Sequence, residues 1–310
     1  MKKKLCLIYQ LFTKCNINCK YCYNNFEQDI LPYDHYTSKV SKLLELCHDE
    51  TCFVINGGEP LLLKDFDKLV NMATEKTKTY SYTNGTLGTL HYKKFLDRLN
   101  YKDNLYMTIS LHFKEVLIDN KLPDKYIRNI NMFCKNVPNL KLNLVLDEDY
   151  QGEYLQVIRQ IMREVKEKTD LKYVNILIAD HLYRDEFKLL RLLGTDLFNF
   201  VIELDENFAY KNCMWDNSRK SLTEMISSVK ENIALKLAGK EFRIPYEYEF
   251  AQINFLESSE GMRVEDNVDN IPKRYVIPFE EFDSYVEKIK PTIQSKPLRK
   301  IKTLQSVGII

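Results

Sequence analysis

Along the chain, short runs of β-branched and aromatic residues alternate with segments that place apolar residues at i, i+3, i+4 and i+7. The short runs are Leu5–Phe12, Cys52–Asn56, Thr79–Thr83, Leu105–His112, Leu140–Leu146 and Tyr173–Ala179. Most are near-continuous apolar stretches, as strands buried on both faces require. Between them, Val40/Leu43/Leu44/Cys47, Phe66/Leu69/Val70/Ala73 and Tyr92/Phe95/Leu96/Leu99 each form one helical stripe. Tyr126–Cys134 and Tyr154–Val165 continue the series, and a sixth helix around Asp185–Leu193 is predicted to stop at Gly194. Six βα pairs in this rhythm predict an α/β fold with a parallel sheet covered by helices.

After about residue 196 the rhythm changes. The pattern predicts a strand over Phe198–Leu204, a turn region holding Cys213 and Trp215, and a helix from about Arg219 to Ala238 stopped by Gly239. A strand in Phe250–Leu256, a polar loop through Asn270, a helix near Phe279–Ile289 and a basic tail complete the chain. The predicted organisation is a core domain over 1–195 and a smaller α+β extension over 196–310. There is no internal repeat and no low-complexity segment.

Composition narrows the function classes. The 310 residues carry 45 Lys+Arg against 44 Asp+Glu, a net charge of +1, which argues against a nucleic-acid-coating protein. The 20 tyrosines form no basic–aromatic stripe of the sort that binds single strands. Met1-Lys2-Lys3-Lys4-Leu5 mimics a secretory leader, but the apolar run behind it is short and broken by Gln10 and Lys14, so it reads as a strand. With no apolar stretch near membrane-spanning length, the expectation is a soluble, cytoplasmic protein without a membrane or nucleic-acid partner. Lysines and arginines between Lys288 and Lys302, with no acidic residue after Glu287, read as a solvated end or as a dock for a leader peptide, carrier protein or phosphorylated substrate.

Three of the eight cysteines, Cys15, Cys19 and Cys22, fall just past the first predicted strand. In parallel α/β folds that edge is where chemistry sits. Three thiolates on one loop can hold three corners of a [4Fe–4S] cube and leave the fourth iron open. The other reading is a zinc site completed by Cys6, His35 or Cys213. One βα unit later comes Gly57-Gly58-Glu59-Pro60, where two glycines let backbone approach a ligand and a carboxylate can receive an ammonium group.

The Cys-x₃-Cys-x₂-Cys loop, with Tyr21 before its last cysteine and Gly-Gly-Glu-Pro after the second strand, resembles the radical S-adenosylmethionine (radical SAM) superfamily. The resemblance covers roughly residues 4–195 and implies a partial (βα)₆ barrel. It implies Cys15, Cys19 and Cys22 as ligands of a [4Fe–4S] cluster, with S-adenosylmethionine chelating the fourth iron and split into methionine and a 5′-deoxyadenosyl radical. Gly57, Gly58, Glu59 and Pro60 match the segment that holds the methionyl amino group, and Tyr21 would pack near the adenine. Thr83, Asn84, Ser110 and Asn143 occupy positions from which polar side chains reach the ribose and carboxylate in similar proteins. A reducing protein such as flavodoxin or ferredoxin is the implied electron partner.

Two residues are candidates for the reaction itself. His112, on the same strand face as Ser110, would point to the barrel mouth, where an imidazole orients a substrate hydroxyl or takes a proton. Cys213 has no cysteine after it, so a conventional auxiliary cluster cannot be assembled from the extension, and Cys47, Cys52 and Cys134 read as core. A solitary thiol at the barrel mouth could return a hydrogen atom from the opposite face, as in epimerases acting on sugars or peptide residues. Oxidation or cross-linking of a sugar or ribosomal peptide is the second expectation, and a zinc-stabilised binding module the third.

Overall fold

The computed structural model describes residues 4–22, 29–48, 51–146, 152–178, 194–210, 221–224, 227, 230, 250–266 and 273–295. Strands β1 (Lys4–Gln10), β2 (Thr51–Asn56), β3 (Lys78–Thr83), β4 (Leu105–Leu111), β5 (Asn139–Leu146) and β6 (Tyr173–Ile178) pair in parallel in that order. They match the six predicted strands to within two residues at either end. Helices α1 (Tyr33–Leu44), α2 (Phe66–Lys76), α3 (Thr89–Asp97), α4 (Phe113–Val116), α5 (Asp124–Asn136) and α6 (Gly152–Lys168) lie between them. This mostly parallel α/β arrangement is that of a partial (βα)₆ barrel.

Alternation along the strands divides the sheet into two faces. Leu5, Leu7 and Tyr9 of β1, Phe53 and Ile55 of β2, Met107 and Ile109 of β4 and Leu142 and Leu144 of β5 bury themselves against the helical stripes, including Val40, Leu69, Tyr92, Ile130 and Ile158. The other face is mixed. A small apolar group of Cys6, Cys52, Val54 and Tyr80 lies at the N-terminal end of the strands. Towards their C-terminal ends it gives way to Gln10, Asn56, Ser110, Asn143 and Asn175.

The segment after residue 196, read from the sequence as a second module, continues the same sheet. β7 (Ala209–Tyr210) pairs with β6, and β8 (Phe250–Ser258) lies parallel on the free edge of β1, with Leu7 opposite Ile253. β9 (Gly261–Asp266) and β10 (Lys273–Ile277) follow antiparallel, giving the order β10-β9-β8-β1-β2-β3-β4-β5-β6-β7. Ile253, Phe255, Met262, Val264, Phe282 and Val286 belong to the same apolar core as β1 and α1. Around them Tyr9 donates a 2.5 Å hydrogen bond to Glu257, His35 sits 3.1 Å from the same carboxylate, and Lys290 bonds Glu45 at 2.8 Å. The last of these places one basic residue of the tail against α1; residues 296–310 lie outside the described residues.

Two expectations are corrected. Phe198–Leu204 is not a strand but part of helix α7 (Thr195–Asn207), because Leu197, Phe200, Val201 and Leu204 form a helical stripe and all are buried. Gly194 does not end a helix in the left-handed conformation; with φ −65° and ψ 179° it caps the start of α7. The predicted helix over Asp185–Leu193 lies outside the described residues, as does most of that over Arg219–Ala238. The predicted Phe250–Leu256 strand and the Phe279–Ile289 helix appear as β8 and α8 (Phe282–Ser295). No helix among the described residues is long and apolar enough to cross a membrane.

Phe255, fully buried and edge-to-face with Phe282 at 6.0 Å, joins the extension to the core. Phe255→Ala should lower stability by about 3–5 kcal/mol in urea unfolding. Val276→Ala, on the exposed side of β10, should change it by less than about 0.5 kcal/mol.

Candidate active site

The cofactor and reaction candidates within the described residues lie on β5 or at the C-terminal ends of β1 to β4. The loop leaving β1 does not project into solvent but lies down on the segment after β2. Gly58 N donates to Phe12 O at 2.9 Å and Glu59 N to Lys14 O at 3.0 Å. The approach is so close that a Cβ on Gly58 would stand 2.1 Å from the Lys14 carbonyl oxygen and 2.4 Å from that of Thr13. Both obstacles are backbone, so no other residue fits.

Glu59 is completely buried. Its carboxylate accepts from Leu61 N at 3.2 Å, from the Thr83 hydroxyl at 3.1 Å and from Asn84 N at 2.7 Å. These bonds tie the end of β2 to the end of β3. Desolvation pushes its pKa up to about 7 against the pull of those three donors. Pro60 opens the short 3₁₀ turn Pro60–Leu62 that the Glu59 side chain caps. The Thr83 hydroxyl contacts Glu59 and the Tyr92 hydroxyl.

Asn84 reaches the cysteine loop. Its side-chain N–H lies 3.5 Å from Cys15 Sγ and 2.8 Å from Asn16 Oδ1, while its carbonyl oxygen accepts from Thr86 N. Gly85 then turns the chain with φ +74°, packed against Tyr126. Within the loop Cys22 N donates to Cys19 O at 3.0 Å, closing a turn that sets two thiols on one side. Burial pushes the Cys15 and Cys19 thiols up; Glu59 adds to the rise at Cys15, and Glu115 and the other two sulfurs of the loop add to that at Cys19, which reaches about 12.

On β4 and β5, Ser110 stands opposite Asn143, and Asn143 opposite Asn175 of β6. Asn175 donates to Asn143 Oδ1 at 3.1 Å, and its own buried Oδ1, like that of Asn56, has no hydrogen-bond partner among the described residues. Neither residue was singled out from the sequence, although each is an amide inside an apolar strand, in the phase that faces away from the helices. His112 follows β4 and meets Tyr21: their Nδ1 and hydroxyl lie 2.6 Å apart. Burial holds the imidazole down at about 4, so it is uncharged at neutral pH. Cys213 lies outside the described residues.

The residues considered as fourth zinc ligands are elsewhere. Cys6 sits near the opposite end of β1, with its sulfur 3.8 Å from that of Cys52, and His35 is engaged with Glu257. Among the described residues no three His, Cys, Asp or Glu side chains gather round a single ion.

The family model of the radical SAM superfamily matches residues 9–154, the span that holds the three thiols, the Gly58 crossing and the Asn84 contact. Residues 9–154 belong to the radical SAM superfamily. A probable GTP 3′,8-cyclase of Methanocella arvoryzae is 32% identical over 79 residues, which is 25% of this chain and 25% of that protein. Two crystal structures of SuiB from Streptococcus suis share the fold. The one bound to precursor peptide SuiA has TM-score 0.54 and 18% identity, over 85% of this chain and 59% of SuiB. The one bound to S-adenosylmethionine has TM-score 0.52 and 17% identity, over 93% and 64%. The chain thus spans a quarter of the curated relative and under two thirds of SuiB.

A radical SAM domain implies a [4Fe–4S] cluster and S-adenosylmethionine. The donor set fits them in kind: three free thiols lie on one loop, Cys19 and Cys22 joined by a backbone turn and Cys15 beside the Asn84 amide. Bound iron would draw off the protons that burial retains on Cys15 and Cys19.

Two expectations follow. Gly58→Ala should leave secondary structure intact by circular dichroism and abolish iron uptake on reconstitution. Glu59→Gln should cost about 1–3 kcal/mol, because an amide NH₂ must then face one of the two backbone N–H donors. Since the folded-state pKa of Glu59 is raised above 4.5, the folded protein binds more protons than the unfolded one between pH 4.5 and about 7. Its stability therefore falls across that window as pH rises, and this component of the slope should vanish in Glu59→Gln when urea unfolding is followed against pH.

Proposed function

We propose that the chain is a radical SAM enzyme that inverts a stereocentre of a peptide or sugar, with Cys213 as the hydrogen donor. The observation that carries the radical class is the docking of Phe12–Lys14, the entry to the cysteine loop, onto Gly57–Glu59 at a distance only glycine permits. When bound, the [4Fe–4S] cluster and S-adenosylmethionine supply an electron and a 5′-deoxyadenosyl radical that removes a hydrogen atom from an unreactive C–H bond.

Cys15, Cys19 and Cys22 hold the iron, and Asn84 steadies the loop through Cys15 and Asn16. With the Glu59 carboxylate committed to β3, the ammonium group is met by the carbonyl side of Gly57 and Gly58. Ser110 and Asn143 bind the ribose and carboxylate, and Tyr21 flanks the adenine. The strand ends exclude water around them. Cys213 gives its S–H hydrogen to the substrate carbon, and a flavodoxin- or ferredoxin-like reductant restores the thiol with one electron and one proton.

A peptide substrate is supported by SuiB, whose structure was solved with its precursor peptide. Inversion is supported by Cys213, a thiol outside the Cys15–Cys22 loop that can return a hydrogen atom.

Anaerobically reconstituted protein given dithionite and S-adenosylmethionine should form 5′-deoxyadenosine, measured by chromatography with mass detection, and Cys15/Cys19/Cys22→Ala should form none. With candidate precursor peptides, Cys213→Ala should still form 5′-deoxyadenosine but yield no inverted residue. A product two mass units lighter than substrate, unaffected by Cys213→Ala, would replace inversion with oxidation or cross-linking.

A further inference from the structure

Asn175 has no part in the reaction proposed above, and by its burial alone it is a costly residue. It is 1% exposed on β6, between Val174 and Ile176 of the apolar core. It faces away from the helices, as its register partner Asn143 does on β5, itself 2% exposed between Leu142 and Leu144. A polar side chain in such a place lowers stability unless its groups are bonded. One group is bonded, since Asn175 Nδ2 donates to Asn143 Oδ1 at 3.1 Å. The other, Asn175 Oδ1, has no hydrogen-bond partner among the described residues.

Leucine has nearly the shape of asparagine. At position 175 it would remove one unpaired oxygen, leave another on Asn143, and add apolar contact, so the sheet gains nothing from the amide. What the bond does is orient Asn143. An amide presents an acceptor on one side and a donor on the other, at almost the same size, and only its partners decide which way it turns. With its oxygen held from β6, the planar Asn143 amide turns its amino group away from β6, to the side of β4, where Ser110 stands opposite it. Asn143 is thereby set as a donor.

We propose that Asn175 is a positioning residue of the cofactor site, holding the Asn143 amide so that it offers an N–H to an acceptor oxygen of S-adenosylmethionine. The inference rests on the reading of Asn143 as a residue that binds the ribose or the carboxylate of that molecule. Either group supplies the acceptor oxygen. A carboxylate only accepts, and a misturned Asn143 would meet it oxygen to oxygen. The unpaired Asn175 oxygen is the stability given up to keep the donor in place.

The test is calorimetric titration of S-adenosylmethionine into the anaerobically reconstituted full-length protein without reductant, with iron content and urea unfolding recorded for every variant. Asn175→Leu should weaken binding by about tenfold, while its urea midpoint stays at or above that of the wild type. A residue that serves only the fold gives the reverse, a lower midpoint with unchanged affinity in the folded fraction. Added to Asn143→Leu, Asn175→Leu should weaken binding no further, because it acts through Asn143. Decarboxylated S-adenosylmethionine and the 2′,3′-dideoxyribose analogue identify the acceptor: the one that lacks it should bind the wild type and Asn175→Leu alike. If Asn175→Leu loads iron poorly, Asn175→Val, which also lacks the donor, takes its place. Wild-type affinity in the loaded Asn175 variant, a loss that adds to that of Asn143→Leu, or full sensitivity of both analogues to Asn175→Leu overturns the inference. Wild-type affinity in Asn143→Leu overturns instead the reading of Asn143 on which it rests.

Discussion

The crossing of the β1 loop over Gly58 is the contact on which the rest of the site depends. Two backbone hydrogen bonds, from Gly58 and Glu59 to the Phe12 and Lys14 carbonyls, fix where the cysteine loop begins. Backbone donors have no rotamers to lose, so the loop's entry is set without side-chain entropy. The absence of a Cβ at Gly58 keeps the two segments in contact. Cys15, the first thiol, follows directly on the carbonyl that Glu59 holds.

The segment after β2 is itself fixed from below. Glu59 binds the end of β3, and Asn84, immediately beyond, returns to the cysteine loop. Three consecutive strand ends are thus closed into a ring: β1 loop to β2 loop through backbone, β2 loop to β3 through a buried carboxylate, and β3 back to the β1 loop through an amide. The donors to Glu59 are two backbone N–H groups and one hydroxyl, an arrangement that offsets part of the cost of burying a carboxylate. The fourth strand joins the ring through the Tyr21–His112 contact. The extension takes no part in it, but it covers the free edge of β1, from which the loop departs.

The sheet's two faces explain why these groups collect where they do. The helix-covered face is almost wholly apolar in β1, β2, β4 and β5 and supplies the stability. The opposite face is freed from that task and carries amides and hydroxyls toward the C-terminal ends of the strands. Asn143 and Asn175 are buried there as a bonded pair, with one acceptor still unpaired. A buried amide oxygen without a partner costs free energy that a bound donor recovers.

The strands, the first helices and the cysteine loop were legible because their signals are local. Periodicity of two or 3.6 names an element, and three cysteines within eight residues, followed by a double glycine, name a chemistry. The misreading of Phe198–Leu204 shows the limit of that signal, since a short apolar run fits either period until Leu197, just before it, is known to share one buried stripe with Phe200, Val201 and Leu204. What each polar residue does was not legible. Glu59 and Thr83 look ligand-directed in a motif, and the bonds the fold gives Glu59 join positions 24 and 25 apart in the chain. Asn175 and the Tyr21–His112 bond depend on strand register and loop docking, which follow from the packing of the whole sheet. The sequence by itself determined most of the elements, the three-cysteine spacing and the superfamily, because these reside in spacing along the chain. Only the tertiary structure decided which side chains face the site and which hold it together, because burial and hydrogen-bond partnership are properties of residues brought together from distant positions.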